Sequence, residues 1–262
     1  MKTWVAANQK GGVGKTTVAL SLAGWLAERG CRVLLVDMDP QCSLSHYFGF
    51  EPDAIDAGVY DLFTAPERDP AAVVQSSRVE GIDVLPATPA MATLDRQLGQ
   101  RQGQGLVLAR ALRRLPGGKY SHALVDCSPS LGVLMVNALA AADRVLIPTQ
   151  TEYMALKGLE RMLRTLSMIN RSRSSRLPYL IIPTMFDKST RASVGALEQL
   201  KEIGGDDLWD QVIPVDNQFL EASRNGLPLA QFMPQSRGAQ AFRQLLEHLL
   251  AADAAGRKEA AA

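Results

Sequence analysis

The sequence is poor in cysteine. Its 262 residues contain three, Cys31, Cys42 and Cys127, scattered and without the close spacing of metal ligands. That argues against a disulfide framework or a zinc site and points to a reducing cytoplasm. A surplus of charge is missing too: 28 Lys and Arg face 27 Asp and Glu, a formal net charge of +1. No global positive field advertises nucleic acid, and any DNA contact has to come from a local patch. No uninterrupted apolar run approaches the roughly 20 residues of a membrane span, and the N-terminus lacks the charged, apolar and small-residue succession of a signal peptide. The expectation is a soluble, cytoplasmic protein. What is present, 47% hydrophobic and 21% charged residues, is an ordinary globular composition, long enough to bury a substantial core.

Short apolar runs alternate with longer stretches of helical period. Residues 3–8 (TWVAAN) read as a first strand, followed by a glycine-rich loop. Val18, Leu22 and Leu26 then recur every four residues on a helix that Gly30 can close. Residues 31–37, 82–87, 122–126, 144–149, 179–184 and 211–214 read as further strands. Their hydrophobicity is continuous rather than alternating, which implies burial on both faces. The expected fold class is therefore α/β, a mostly parallel twisted sheet with helices on both faces. One domain is expected over residues 1–250, followed by a tail, 251–262, that has no packing stripe and should be disordered. Residues 171–176 (RSRSSR) read as a basic, solvated loop in preference to a DNA contact.

The segment GGVGKT at 11–16 lies between a predicted strand and a predicted helix, the setting a phosphate-binding loop requires. Glycines let backbone N–H groups turn toward phosphate oxygens, and the helix N-terminus adds a favourable dipole. Gly11, Gly12, Val13, Gly14, Lys15, Thr16 and Thr17 are the expected nucleotide contacts. Lys15 bridges the terminal phosphates and the Thr16 hydroxyl binds Mg²⁺. The spacing departs from G-x-x-x-x-G-K-[ST], because position 9 holds Gln9 where that pattern has glycine. In VDMDPQ, Asp37 and Asp39 stand two apart at a strand end, a spacing that sends both carboxylates the same way. One of them serves Mg²⁺ through its water shell and the other orients an attacking water. In ALVDCSPS a buried strand ends on Asp126, at the sheet edge where open α/β folds place ligands, and Asp126 is expected behind the metal. Cys127 reads as a small buried residue, not a nucleophile.

With these residues in place the chain resembles the ParA/MinD family of P-loop ATPases with a deviant Walker A motif, over about residues 1–250. KGGVGKTT is similar to the family pattern K-G-G-x-G-K-[ST]-T, VDMDPQ to its switch I, and LVDCSPSLG to its Walker B and switch II. Residues 147–163 (IPTQTEYMALKGLERML) and 183–190 (PTMFDKST) resemble ParA-type segments more than MinD-type ones. The resemblance implies a P-loop NTPase fold, ATP and Mg²⁺ as cofactors, and a homodimer when ATP is bound. In that dimer Lys10, the signature lysine, reaches the nucleotide of the opposite subunit. Asp39 matches the family residue that positions the hydrolytic water, and without a strong base or arginine finger turnover is expected to be slow. Adenine contacts are expected around Met185, Phe186, Asp187 and Pro214.

The resemblance also implies a cargo adaptor or ParB-like stimulating protein whose basic N-terminal segment accelerates hydrolysis, and binding of nonspecific DNA by the dimer. Here Val215 and Gln218 stand where ParA-type relatives often carry arginines, so Arg224, Lys188, Arg191 and Lys201 are the replacement candidates. The C-terminal stripe Phe242, Leu245, Leu246, Leu249 and Leu250 reads as core, because its polar face offers Arg243, Glu247 and His248 where a membrane-targeting helix should carry several basic residues. The first strand starts within a few residues of the N-terminus, so no preceding helix-turn-helix domain is expected. The functional expectation is an ATPase that positions or segregates cytoplasmic cargo, nucleoid-associated or polar: a chromosome, a plasmid, or a protein assembly such as a chemoreceptor array. The alternatives are a metabolic or redox P-loop enzyme, similar to dethiobiotin synthetase or the nitrogenase iron protein, and a nonhydrolysing scaffold.

Overall fold

The structure, a computed structural model of the chain, describes residues 1–98 and 104–261. Seven strands, β1 (Lys2–Ala6), β2 (Val33–Met38), β3 (Gln75–Ser76), β4 (Ile82–Leu85), β5 (His122–Cys127), β6 (Arg144–Gln150) and β7 (Tyr179–Thr184), form one sheet in the order β3-β4-β2-β5-β1-β6-β7. Every neighbouring pair is parallel except β3–β4. Along the chain run α1 (Lys15–Glu28), α2 (Ser43–Tyr47), α3 (Val59–Thr64), α4 (Leu94–Leu98), α5 (Val107–Arg114), α6 (Val133–Ala141), α7 (Tyr153–Arg171), α8 (Arg191–Gly204), α9 (Gln218–Asn225), α10 (Leu229–Phe232) and α11 (Arg237–Ala261).

The continuous hydrophobicity of the strands resolves into two core layers. Val5, Leu34, Val36 and Val125 pack into one layer with residues of α3, α5, α6 and α7, such as Leu62, Leu112, Leu139 and Leu159. Their chain neighbours Trp4, Val33, Leu35 and Leu124 pack into the other with Val18, Leu22 and Leu26 of α1 and Phe242, Leu245, Leu246 and Leu249 of α11. Side chains alternate across a strand, so a strand buried on both faces has to be apolar at every position. Parallel strands also end together, and the turns after β1, β2, β5, β6 and β7 meet at the carboxyl edge of the sheet, where the site lies.

Three segments differ from the sequence reading. Residues 211–214 make no strand: the Ile213 N–H donates to Pro183 O at 2.8 Å and a single bridge joins Phe186 to Pro214, because a proline has no N–H with which to extend a ladder. β3 is two residues long, too short to show a period. The expected structureless tail continues as helix, α11 running through to Ala261. Alanine-rich sequence favours that state, and Asp253 fastens it to the sheet by accepting from Arg144 at 3.1 Å. Among the described residues no helix is long and apolar enough to cross a membrane.

Candidate functional site

After β1 the chain turns through the glycine loop into α1. Gly12 and Gly14 have φ of 75° and 93°, the left-handed region that side chains with a Cβ avoid. Gly14 O accepts the first bond of α1, from the Val18 N–H at 2.9 Å. A Cβ built at Gly11 or Gly12 would meet no atom within 4 Å, so the loop presents open backbone at a helix N-terminus, the arrangement that receives phosphate. The Val13 carbonyl accepts from the Thr184 hydroxyl at 2.9 Å, which ties the loop to the end of β7.

Lys15 is buried to 7% exposure, its Nζ donating to the Lys10 carbonyl at 3.3 Å. Beside it the Thr16 hydroxyl donates to Asp126 Oδ2 at 2.5 Å. The other oxygen, Asp126 Oδ1, is buried without a hydrogen-bond partner among the described residues. Asp37 stands opposite Asp126 in the β2–β5 register. Burial pushes the Asp126 carboxyl up to about 8, with the charge of Asp37 adding to the effect and the Thr16 hydroxyl opposing it. Burial likewise raises Asp37 to about 6, against hydrogen bonds from Ser45. Two adjoining buried carboxylates, one with a bare oxygen next to a threonine hydroxyl, are a donor set that a hard cation fits.

Asp37 and Asp39 do not act alike. Asp37 Oδ2 accepts from the Ser45 N–H at 2.9 Å and the Ser45 hydroxyl at 2.7 Å, and its Oδ1 accepts from the Asp39 N–H at 3.1 Å. Through these bonds it anchors α2. Asp39 lies beyond the end of β2, where the strand's period no longer holds. It is half-buried, with Oδ1 accepting from the Gln41 N–H at 3.0 Å, and its charge adds to the raising of Asp126.

The segment ahead of the loop is fastened to α7 and the end of β6. The Asn8 amide donates to Pro148 O at 2.8 Å, the Gln9 amide donates to the Thr165 hydroxyl at 2.6 Å, and Lys10 Nζ pairs with Glu152 Oε1 at the start of α7. The helix approaches so closely that a Cβ at Gly158 would stand 2.9 Å from Lys10 Cβ and 3.3 Å from Asn8 Oδ1. Glu152, Gly158 and Thr165 were not foreseen. The sequence signal for Glu152 and Gly158 is their position in the ParA-type segment 147–163; Thr165 lies beyond that segment and has none.

Of the expected base contacts, Met185 and Pro214 line a cavity of about 420 Å³ that reaches Gly14 and Thr17. Val215, Asp216 and Phe219 line it as well, unforeseen. Asp187 does not; its carboxylate accepts from the Ser189 N–H and hydroxyl, which holds it below the usual carboxylate range. Among the candidates for phosphate contact with DNA, Arg224 pairs with Glu221 and Lys201 with Glu198. Lys188 and Arg191 are exposed and have no carboxylate partner among the described residues. Burial raises the Cys42 thiol to about 12 and the Cys127 thiol well above its ordinary range. Neither is poised as a thiolate ligand or nucleophile.

A family model described as an AAA domain matches residues 1–179. The chain is 36% identical over 245 residues to the sporulation initiation inhibitor protein Soj of Bacillus subtilis, covering 93% of this chain and 96% of that one. It is 35% identical over 254 residues to the chromosome partitioning protein ParA of Caulobacter vibrioides, covering 95% and 94%. Among solved structures, cobyrinic acid a,c-diamide synthase from Mycobacterium smegmatis with bound ATP analog and magnesium is similar with a TM-score of 0.85 and 33% identity over 98% of both chains.

Proposed function

The chain belongs to the ParA/MinD family of P-loop ATPases, and from that premise we propose that it is a ParA-like ATPase whose ATP-dependent dimerisation and slow, partner-stimulated hydrolysis position or segregate intracellular cargo. The observation that carries the reading is Asp126, buried with one oxygen on the Thr16 hydroxyl and the other bare, below an open glycine loop. Relatives named as chromosome-partitioning proteins, matched over more than nine-tenths of both chains, support it against the metabolic and redox alternatives. Protein cargo at a pole is favoured modestly over a chromosome or plasmid, because Val215 and Gln218 replace two expected arginines. The setting is cytoplasmic.

In this reading the loop N–H groups and Lys15 hold the phosphates of ATP, and the apolar cavity beside Met185 and Pro214 takes the base. Thr16 and Asp126 would hold Mg²⁺, with Asp37 behind them, and the ion would neutralise charge on the phosphate oxygens. Asp39 orients the attacking water. A carboxylate is a weak base and no arginine finger belongs to the segment, so intrinsic turnover is slow. Lys10 leaves Glu152 and reaches the partner's nucleotide, where a cation in a water-poor interface offsets the mutual repulsion of two triphosphates. DNA binding, where it occurs, rests on Lys188 and Arg191 and is nonspecific.

Steady-state ATP hydrolysis tests the reading. Slow turnover by the wild-type chain that Asp39→Ala abolishes, with nucleotide binding retained, is the expected result. No turnover by the wild type, alone or with a cargo adaptor present, overturns it in favour of a nonhydrolysing scaffold.

A further inference from the structure

The outer side of helix α7 carries charged and apolar side chains that the nucleotide site does not use. Residues 157–176 carry six basic side chains, Lys157, Arg161, Arg164, Arg171, Arg173 and Arg176, against one acid, Glu160, in a chain whose net charge is only +1. Lys157, Arg161, Arg164, Met168 and Arg171 follow one another at spacings of four and three and are all exposed. On a helix of 3.6 residues per turn they occupy one stripe about 80° wide and about 21 Å long. Lys157 pairs with Glu160 and Arg176 with Asp207, but Arg161, Arg164 and Arg171 have no carboxylate partner among the described residues.

Apolar side chains are interleaved with the charge. Tyr153, Met154 and Met168 are 64%, 58% and 56% exposed. Along one flank of the stripe an open groove of about 460 Å³ runs past Leu163, Leu166 and Tyr179 and ends at Arg171 and Arg176. The groove has an apolar wall, Leu163, Leu166 and Tyr179, and a polar one, Ser167, Asn170, Arg171 and Arg176; phosphodiester backbones offer charge but nothing to cover the methionines and the apolar wall, whereas an amphipathic helix offers both, at the same heptad spacing. We propose that the outer face of α7 is the docking surface for an acidic amphipathic helix of a partner protein, its carboxylates on Arg161, Arg164 and Arg171 and its apolar side chains in the groove beside Leu163 and Leu166. Such a segment is opposite in charge to the basic stimulating segment that the family resemblance implies, so the two occupy different surfaces.

The other flank of α7 carries Gly158 and Thr165, which meet Lys10 and Gln9. Occupancy of the outer face therefore acts on the helix that holds the signature lysine. Only this link rests on the ATPase reading; docking does not.

The test uses the full chain and three labelled probes: a synthetic peptide with Glu and Leu at heptad spacing, the same peptide with Lys in place of Glu, and a short duplex DNA. Fluorescence anisotropy should show the Glu peptide bound by the wild type, and at least about tenfold more weakly by R161E/R164E/R171E, as expected for the loss of three charge contacts. The milder R161Q/R171Q should fall between them. Retained binding of a fluorescent ATP analogue shows that each variant is folded. Failure of the wild type to bind the Glu peptide, equal binding by the triple variant, or preferential binding of the DNA lost in that variant overturns the proposal. Absence of ATP turnover in the wild type would strike the proposed function and leave this result untouched.

Discussion

Lys10 Nζ is paired with Glu152 of its own chain. The ends of this pair are 27% and 40% exposed, a setting in which an ion pair contributes about 0–1 kcal/mol. Its position matters more than its strength. The lysine proposed to neutralise a partner's triphosphate is stored on the residue that precedes the helix packed against its loop, and the tie is weak enough to be exchanged.

Removing the tie should favour exchange. Glu152→Gln is expected to tighten ATP-dependent dimerisation by up to about fivefold, the equivalent of the weak pair that no longer competes. Sedimentation equilibrium with ATP and Mg²⁺ measures it; an unchanged or weaker dimer shows that Glu152 does not hold Lys10 in reserve.

Gly158→Ala separates helix propensity from packing. Alanine is the better helix former by about 1 kcal/mol, but its Cβ would stand 2.9 Å from Lys10 Cβ. ATP turnover is expected to fall several-fold while the helical circular dichroism is unchanged. Turnover at the wild-type level would mean that the approach of α7 to Lys10 is not needed.

The pH dependence follows from the two buried carboxyls. Burial raises Asp126 and Asp37 to about 8 and about 6 from the ordinary aspartate value of 3.8, so over that window the folded, nucleotide-free chain binds more protons than the unfolded chain. Its stability should therefore fall as pH rises from about 4 toward 8. Asp126→Asn should flatten the slope in thermal melts, and Mg²⁺ with an ATP analogue should reverse it by favouring the ionised form. A nucleotide-free melting temperature that rises over this window contradicts the assignment.

The glycine loop was legible because its geometry is local: it spans consecutive residues, with the strand before and the helix after setting its shape. Asp126 could be placed because an apolar run ends on it. What the sequence hid are contacts between distant segments. Nothing near Lys10 announces Glu152, 142 positions away. The Asp187 carboxylate is held within its own loop by Ser189, a contact that the family segment does not announce. Asp37 and Asp39 looked equivalent because they were read as one strand, and β2 ends at Met38 between them.

The C-terminal segment tests the same point. If 251–262 were idle, deletion would cost nothing; since Asp253 accepts from Arg144, both largely buried, deletion after residue 250 should cost about 1–3 kcal/mol of stability. Urea unfolding of the two chains decides, and identical midpoints would mean the pair contributes nothing.

The most direct test of the account is sedimentation velocity of Asp39→Ala, which should bind ATP without consuming it, at micromolar protein with ATP and Mg²⁺. A dimer is predicted, and adding Lys10→Ala should return it to single subunits that still bind nucleotide. A lone subunit in the first case, or an undiminished dimer in the second, would contradict the exchange of Lys10 from Glu152 to a neighbour's nucleotide.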